Sequence, residues 1–237
     1  MSELPDPPAD GFCAEAWART ARLREAILKL PFNEALTDGS LSREVFAFYI
    51  VQDARYLVGF AQALSAAATR SDDADDAAFL AAAANAALLE ERRLHAGYVE
   101  EFGLTDAEIA GVETSPTCLA YTSYLRACAL TESYPVLLAA ILPCFWVYQH
   151  VGTAILEATG GAEGHPYEAW IKTYADDEFA RGVLAARDLV DKVAANSDES
   201  TRERMHEAFL RGTEYEWMFW DSAWRRESWP TAEFRDR

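Results

Sequence analysis

The stretch Ile141-Leu142-Pro143-Cys144-Phe145-Trp146-Val147-Tyr148 closes an unbroken apolar run that begins at Val136. At helical spacing, Cys144 has Ala140 and Ile141 one turn behind it and Val147 and Tyr148 one turn ahead. Its thiol therefore faces small, aliphatic and aromatic groups. A helix apolar on every side belongs at the centre of a domain. The run is shorter than the ~20 residues that span a bilayer. Pro143 has no amide hydrogen for the carbonyl of Ala139, which predicts a kink just before the cysteine. Taken alone, the stretch reads as a core cysteine in a buried helix, since free Cys is among the most buried residue types.

Working outward from this helix, the pattern is helical throughout. A first helix is predicted from Asp10 or Gly11 to about Leu28, followed by the connecting stretch Leu30-Pro31-Phe32-Asn33 and a turn at Asp38-Gly39-Ser40. A long helix from Ser42 to about Thr69 ends at Ser71-Asp72-Asp73, and a third spans Asp75 to Phe102 with Gly103 as its C-cap. Thr105-x-x-Glu108 has capping-box form. Ser115-Pro116 reads as N-cap and N1 of a helix to about Leu130. The central helix runs from Tyr134 to about Ala158 and ends before Gly160-Gly161. Next come a short helix from Pro166 to Tyr174, one capped by Asp176-Asp177 to about Ala195, and a last one from the capping box Ser200-x-x-Glu203 to Trp224. No segment alternates with period two, so no sheet is predicted. The expected architecture is a single all-α domain over residues 11–227, a multi-helix bundle, with tails at 1–10 and 228–237.

Composition narrows the function. At 237 residues, with 51% hydrophobic and 12% aromatic content, the chain is long and apolar enough for a substantial core. A formal net charge of −18 argues against nucleic acid or an acidic membrane surface as partner. Cys13, Cys118, Cys128 and Cys144 show neither CxxC nor zinc spacing, and Met1-Ser2-Glu3-Leu4 does not open a signal peptide. The expected compartment is the cytoplasm, with reduced thiols.

Several polar groups fall on faces that should be buried. Asp53 lies between Tyr49 and Ile50 one turn behind and Tyr56 and Leu57 one turn ahead. A carboxylate there is costly without a partner. Glu216 lies between Gly212 and Thr213 on one side and Phe219 and Trp220 on the other, which leaves room for a flat guest. Tyr121, with Cys118 behind and Tyr124 and Leu125 ahead, also points inward. Each acid alone could simply tie helices together through a buried Arg or Tyr. Two inward acids, several inward tyrosines and a thiol from different helices together outline a small-molecule pocket.

Metal chemistry is the rival use of such acids. Di-iron carboxylate bundles need two Glu-x-x-His motifs, and this chain has one, Glu203 with His206. His95, His150, His165 and His206 read better as core or surface residues, and Asp72, Asp73, Asp75 and Asp76 as a solvated helix start. No metal and no cofactor are expected.

The motifs, in their order, resemble thiaminase II, the TenA proteins of thiamin salvage. The resemblance covers about residues 12 to 225. It rests on Gln52-Asp53-x-x-Tyr56-Leu57, His95-x-x-Tyr98-x-x-Glu101-Phe102-Gly103 and Ala120-Tyr121-x-x-Tyr124. It continues in Leu142-Pro143-Cys144-Phe145-Trp146-x-Tyr148, Trp170-Ile171-x-x-Tyr174-x-x-Asp177-Glu178-Phe179 and Glu216-x-x-Phe219-Trp220-Asp221. It implies a haem-oxygenase-like helical fold without haem, usually a homotetramer. It also implies hydrolytic C–N cleavage at the methylene on the aminopyrimidine ring of thiamin or of 4-amino-5-aminomethyl-2-methylpyrimidine. Cys144 places the chain with the branch that has the central cysteine. Phe145 departs from the family's usual Tyr and bears on hydrogen bonding around the pocket.

By this resemblance, Cys144 is the nucleophile that adds to the ring, and something near it should favour the thiolate. Glu216 holds or protonates a ring nitrogen, and Asp53 orients the amino group and the thiol. Tyr56, Tyr121, Tyr148 and Tyr174 bind and orient, while Phe219 stacks. Two other readings stay open from sequence: a di-metal or cofactorless oxidase on the same fold, and a non-catalytic pyrimidine-binding regulator.

Overall fold

The computed structural model describes residues 10–102, 109, 111–174 and 176–234, with residues 90–102 described by backbone alone. The expected Gly103 C-cap, the Thr105-x-x-Glu108 box and the side chains of His95, Tyr98 and Glu101 lie outside what is described. The described residues form helices and connections, with no strand among them. The helices are α1 (Phe12–Arg19), α2 (Ala21–Leu28), α3 (Pro31–Asp38), α4 (Arg43–Ala68) and α5 (Ala74–Phe102). They continue with α6 (Pro116–Thr131), α7 (Tyr134–Thr159), α8 (Glu168–Tyr174), α9 (Asp177–Ala195) and α10 (Glu199–Trp224).

The apolar run is the middle of α7, which is the hub of the bundle. This helix runs unbroken through Pro143 and touches α2, α3, α4, α6, α8, α9 and α10. Its 26 residues make it long and apolar enough to cross a membrane by composition, but 89% of its most apolar window is buried inside the protein. Length alone therefore did not exclude a span. Burial identifies the core helix. Each fully buried Leu, Ile or Val along it, such as Leu137, Leu138 and Val151, is worth roughly 1.5–3 kcal/mol.

The caps explain most boundaries. Ser42 accepts from the Val45 amide at 3.2 Å, and Ser115 from the Cys118 amide at 3.1 Å with Pro116 following. Asp73 accepts from the Asp75 and Asp76 amides, so part of the acidic cluster caps α5. Asp73 and Asp76 also hold Lys192 of α9 at 2.9 and 2.8 Å.

Three expectations need correction. The first helix is two, because Thr20 adopts φ −99 and ψ 5 and turns its hydroxyl back onto the Ala16 carbonyl at 2.9 Å. The stretch after Leu30 is not a connection but α3, with Pro31 in the first turn, where its missing amide hydrogen costs nothing. The N-cap of α10 is Asp198, not Ser200: its carboxylate accepts from the Thr201 amide at 2.7 Å, and the charge suits the helix N-terminus. Beyond 228, Trp229 donates to the Thr114 carbonyl at 2.9 Å and Ala232–Phe234 forms one 3₁₀ turn.

Candidate active site

Five helices deliver two carboxyl groups, a thiol and aromatic side chains to the same buried region. α4 supplies Asp53, and Tyr56 three residues on; α6 supplies Tyr121; α7 supplies Cys144, and Tyr148 one turn on. α10 supplies Glu216 and Phe219, and α8 ends on Tyr174. All of them are buried: Asp53 is 3% exposed and Glu216 1%, while Cys144 and Tyr174 at 8% are the least enclosed.

Glu216 accepts a hydrogen bond from the Tyr121 hydroxyl at 2.6 Å. Burial pushes the Glu216 carboxyl up to about 8; the Tyr121 bond pulls it down, and the Asp53 charge adds to the rise. Glu216 is thus an acid that keeps its proton at neutral pH. Cys144 feels the same surroundings. Burial first, then the charges of Glu216 and Asp53, drive its thiol well above the ordinary range, while the Tyr56 hydroxyl acts against them. The expected environment favouring a thiolate is therefore not present in the free protein. Two nearby carboxyl groups and a dry wall hold the sulfur protonated. Tyr49, Tyr56, Tyr121 and Tyr148 are all raised as well, burial being the largest cause, so they serve as neutral donors. The Tyr56 hydroxyl makes no hydrogen bond of ordinary length among the described residues, although it interacts with the Cys144 thiol and the Tyr121 hydroxyl.

Aromatic rings build the walls. The Tyr56 ring lies 4.7 Å from Tyr121 and 5.6 Å from Phe219, centroid to centroid. Tyr148 lies 5.0 Å from Tyr174 and 4.8 Å from Trp220. Two groups were not singled out from the sequence. Tyr49, one turn before Asp53, donates to the Tyr148 hydroxyl at 3.4 Å and accepts from the Trp170 indole at 3.2 Å. Tyr215 stacks on Tyr121 at 4.9 Å and 9°, holding the ring whose hydroxyl reaches Glu216. The i−4 spacing of Tyr49 from Asp53 was a usable signal, whereas Tyr215, with Arg211 one turn behind and Met218 and Phe219 one turn ahead, lies at the half-buried edge of its helix's inward face. Tyr174 comes close to α7 at Gly152, where an added Cβ would lie 2.6 Å from the Tyr174 Cβ.

Phe145 turns away from these polar groups. It packs edge-on to Phe60 at 5.4 Å and lines a small void with Phe79, Leu138 and Leu189. No polar surface lines that void, so a phenylalanine suits it.

The Glu203/His206 motif is absorbed elsewhere. His206 stacks on Phe12 at 4.4 Å with Nε2 3.2 Å from Glu15, and Glu203 pairs with Arg19. Among the described residues, no group of three or more His, Cys, Asp or Glu could hold a metal ion.

Residues 17–226 match the TENA/THI-4/PQQC family. An "Aminopyrimidine aminohydrolase" of Bacillus subtilis (strain 168) is 32% identical over 226 residues, 95% of this chain and 94% of that protein. A protein of the same name from Halalkalibacterium halodurans is 32% identical, covering 92% and 97%. Among solved structures, a "TenA homologue protein from P.horikoshii OT3" superposes with TM-score 0.80 at 27% identity, covering 91% of this chain and 99% of that one. A domain from Shewanella denitrificans described as having a heme oxygenase-like fold superposes with TM-score 0.74 at 14% identity, which bears on the fold alone. With the family matched over nearly the whole chain and near-full-length relatives above 30% identity, the chain belongs to the TENA/THI-4/PQQC family.

Proposed function

We propose that this chain is an aminopyrimidine aminohydrolase of the thiaminase II type. It hydrolyses the C–N bond at the pyrimidine methylene of thiamin or of its aminopyrimidine degradation products, giving hydroxymethylpyrimidine for thiamin salvage. One observation carries the reading: a buried acid, Glu216, is held by Tyr121 within electrostatic reach of the Cys144 thiol. The names of the two aminohydrolase relatives support it.

The chemistry follows from the protonation states. Tyr and Phe walls with a few inward polar groups suit a flat, amphipathic ring. Protonated Glu216 donates to a ring nitrogen and makes the ring electrophilic. The Cys144 sulfur adds to a ring carbon, and its proton passes to Asp53, the other carboxyl near the thiol. The thiol is protonated in the free protein and loses its proton only as the sulfur adds to the electrophilic ring. The ring amino group then supplies the electron pair that expels the leaving group from the methylene, the Asp53 proton going to a departing ammonia. With the aminomethyl substrate, water adds to the methylene and gives its proton to Asp53, which returns it to the sulfur as the C–S bond breaks. With thiamin the thiazole leaves uncharged, Asp53 keeps its proton for the sulfur, and the proton of water goes to solvent. In both cases the ring nitrogen returns its proton to Glu216 as the ring regains aromaticity. Tyr56, Tyr148 and Tyr174 bind and orient, and Phe219 stacks. We assign catalysis to Cys144, Glu216 and Asp53, with no metal and no cofactor.

The enzyme is assigned to the cytoplasm as a homo-oligomer, a tetramer or dimer. The test of function is turnover by purified protein on thiamin and on the aminomethyl pyrimidine side by side, reading hydroxymethylpyrimidine. Folded protein that hydrolyses neither would refute the reading.

A further inference from the structure

Glu216 and Cys144 stand on different helices, so their separation is set by how closely α10 approaches α7. That approach has a fixed point one turn before Glu216. A Cβ added to Gly212 would lie 2.7 Å from Pro143 Cγ and 3.0 Å from the Ala140 carbonyl oxygen. Neither position is possible for a real side chain without movement. Ordinary contact begins near 3.4 Å, and the Ala140 oxygen belongs to the backbone of the core helix and cannot swing aside. Pro143 is the residue before the nucleophile, and Gly212 is four residues before the acid. The two residues that touch are therefore the immediate supports of the two that react.

We propose that Gly212 is a positioning residue for the reaction: by letting α10 seat directly on Pro143 and Ala140, it fixes the distance between the Glu216 carboxyl and the Cys144 sulfur and keeps that gap dry. This rests on the reading of Cys144 and Glu216 given above. The physical basis is that interiors are close-packed and transmit strain. A methyl at Gly212 cannot be absorbed in place. It levers α10 from α7 by roughly half an ångström or more, and misplacement on the order of 1 Å costs about 10²-fold in rate. Separation of the helices also admits water to Glu216, whose raised pKa comes chiefly from burial.

The experiment compares Gly212→Ala with Gly182→Ala. Gly182 lies inside α9 with nothing within 4 Å of an added Cβ, so it controls for the general effect of replacing a helical glycine. Gly212→Ala is expected to lower kcat about 10- to 100-fold with KM changed less than about threefold. The alkaline limb of its kcat/KM profile is expected to move below about 8, and Cys144 should be alkylated faster by iodoacetamide. Gly182→Ala should match the parent in all three. A merely structural role would lower the amount of active protein without shifting the pH limb of what remains.

Should Gly212→Ala fail to fold, Pro143→Ala/Gly212→Ala removes the nearest clash and keeps the one with Ala140, so the same shift in the same direction is expected at smaller size. Parental kcat and pH profile in whichever variant folds would overturn the inference, as would failure of both to fold, since Gly212 would then be a requirement of folding alone. Near-full activity of Cys144→Ser would instead sink the reading of the site. An inactive Cys144→Ser beside a parental Gly212→Ala would sink only the role of Gly212.

Discussion

The Tyr121 hydroxyl donates to Glu216 Oε1 at 2.6 Å in a place that leaves Tyr121 fully buried and Glu216 1% exposed. Burial holds the proton on Glu216 and the Tyr121 bond works against it, and the proposed chemistry depends on that balance. Three influences on Glu216 are identifiable, and each can be removed in turn.

Glu216 should leave a mark on stability. The folded chain holds its proton to about pH 8, whereas the ordinary value is 4.5. Between these, the native state binds more protons than the unfolded state, so stability falls as pH rises from 4.5 through 8. Glu216→Gln has no such group. Its stability relative to the parent is expected to improve between pH 5 and pH 9 by on the order of a few kcal/mol, read by urea denaturation. Its kcat should fall about 10²- to 10⁴-fold, the range of general acid help.

Tyr121→Phe and Asp53→Asn should shift the same limb in opposite directions. Tyr121 stabilises the Glu216 anion, so its loss moves the alkaline limb of kcat/KM up in pH. Asp53 opposes that anion, so neutralising it moves the limb down. Both variants will be slower than the parent. Limbs that move together would contradict the electrostatic account.

Cys144→Ser keeps the shape and replaces the thiol by a hydroxyl that stays protonated. Turnover is expected to fall by orders of magnitude, with little change in binding of the pyrimidine product measured by calorimetry. Adding Glu216→Gln should make matters little worse, since both groups serve one step.

Tyr49→Phe removes the acceptor of the buried Trp170 indole and the partner of Tyr148. A buried donor left without an acceptor costs about 1–3 kcal/mol, readable as a lowered denaturation midpoint. KM should rise more than kcat falls, because Tyr148 loses its tether and the reacting groups do not.

Gly152→Ala tests the wall formed by Tyr174. The added methyl meets the Tyr174 Cβ and its carbonyl carbon at 3.0 Å, so α8 must shift and carry Tyr174 off Tyr148. Substrate binding should weaken about tenfold or more by KM while kcat changes less. A parental KM would remove Tyr174 from the binding wall.

The apolar run around Cys144 and the interrupted faces at Asp53 and Glu216 were legible because helical periodicity makes burial a local property of sequence. The motifs placed each site residue on its helix for the same reason. Local competition escaped the pattern. Thr20 breaks the first helix by bonding its own preceding turn, Pro31 opens a helix where it read as a connection, and Asp198 displaces Ser200 as a cap.

By itself the sequence determined an all-α chain, a core helix carrying a cysteine, and which acids and tyrosines face inward. Tertiary structure alone decided which of these meet and in what state. The bond from Tyr121 to Glu216, the tie from Tyr49 to Tyr148 and the seat of Gly212 on Pro143 join residues that are distant in the chain. The proton on Glu216 and the inert thiol of Cys144 follow from desolvation and from charges on other helices. A carboxyl's pKa depends on what surrounds it in three dimensions, and no spacing along the chain encodes that.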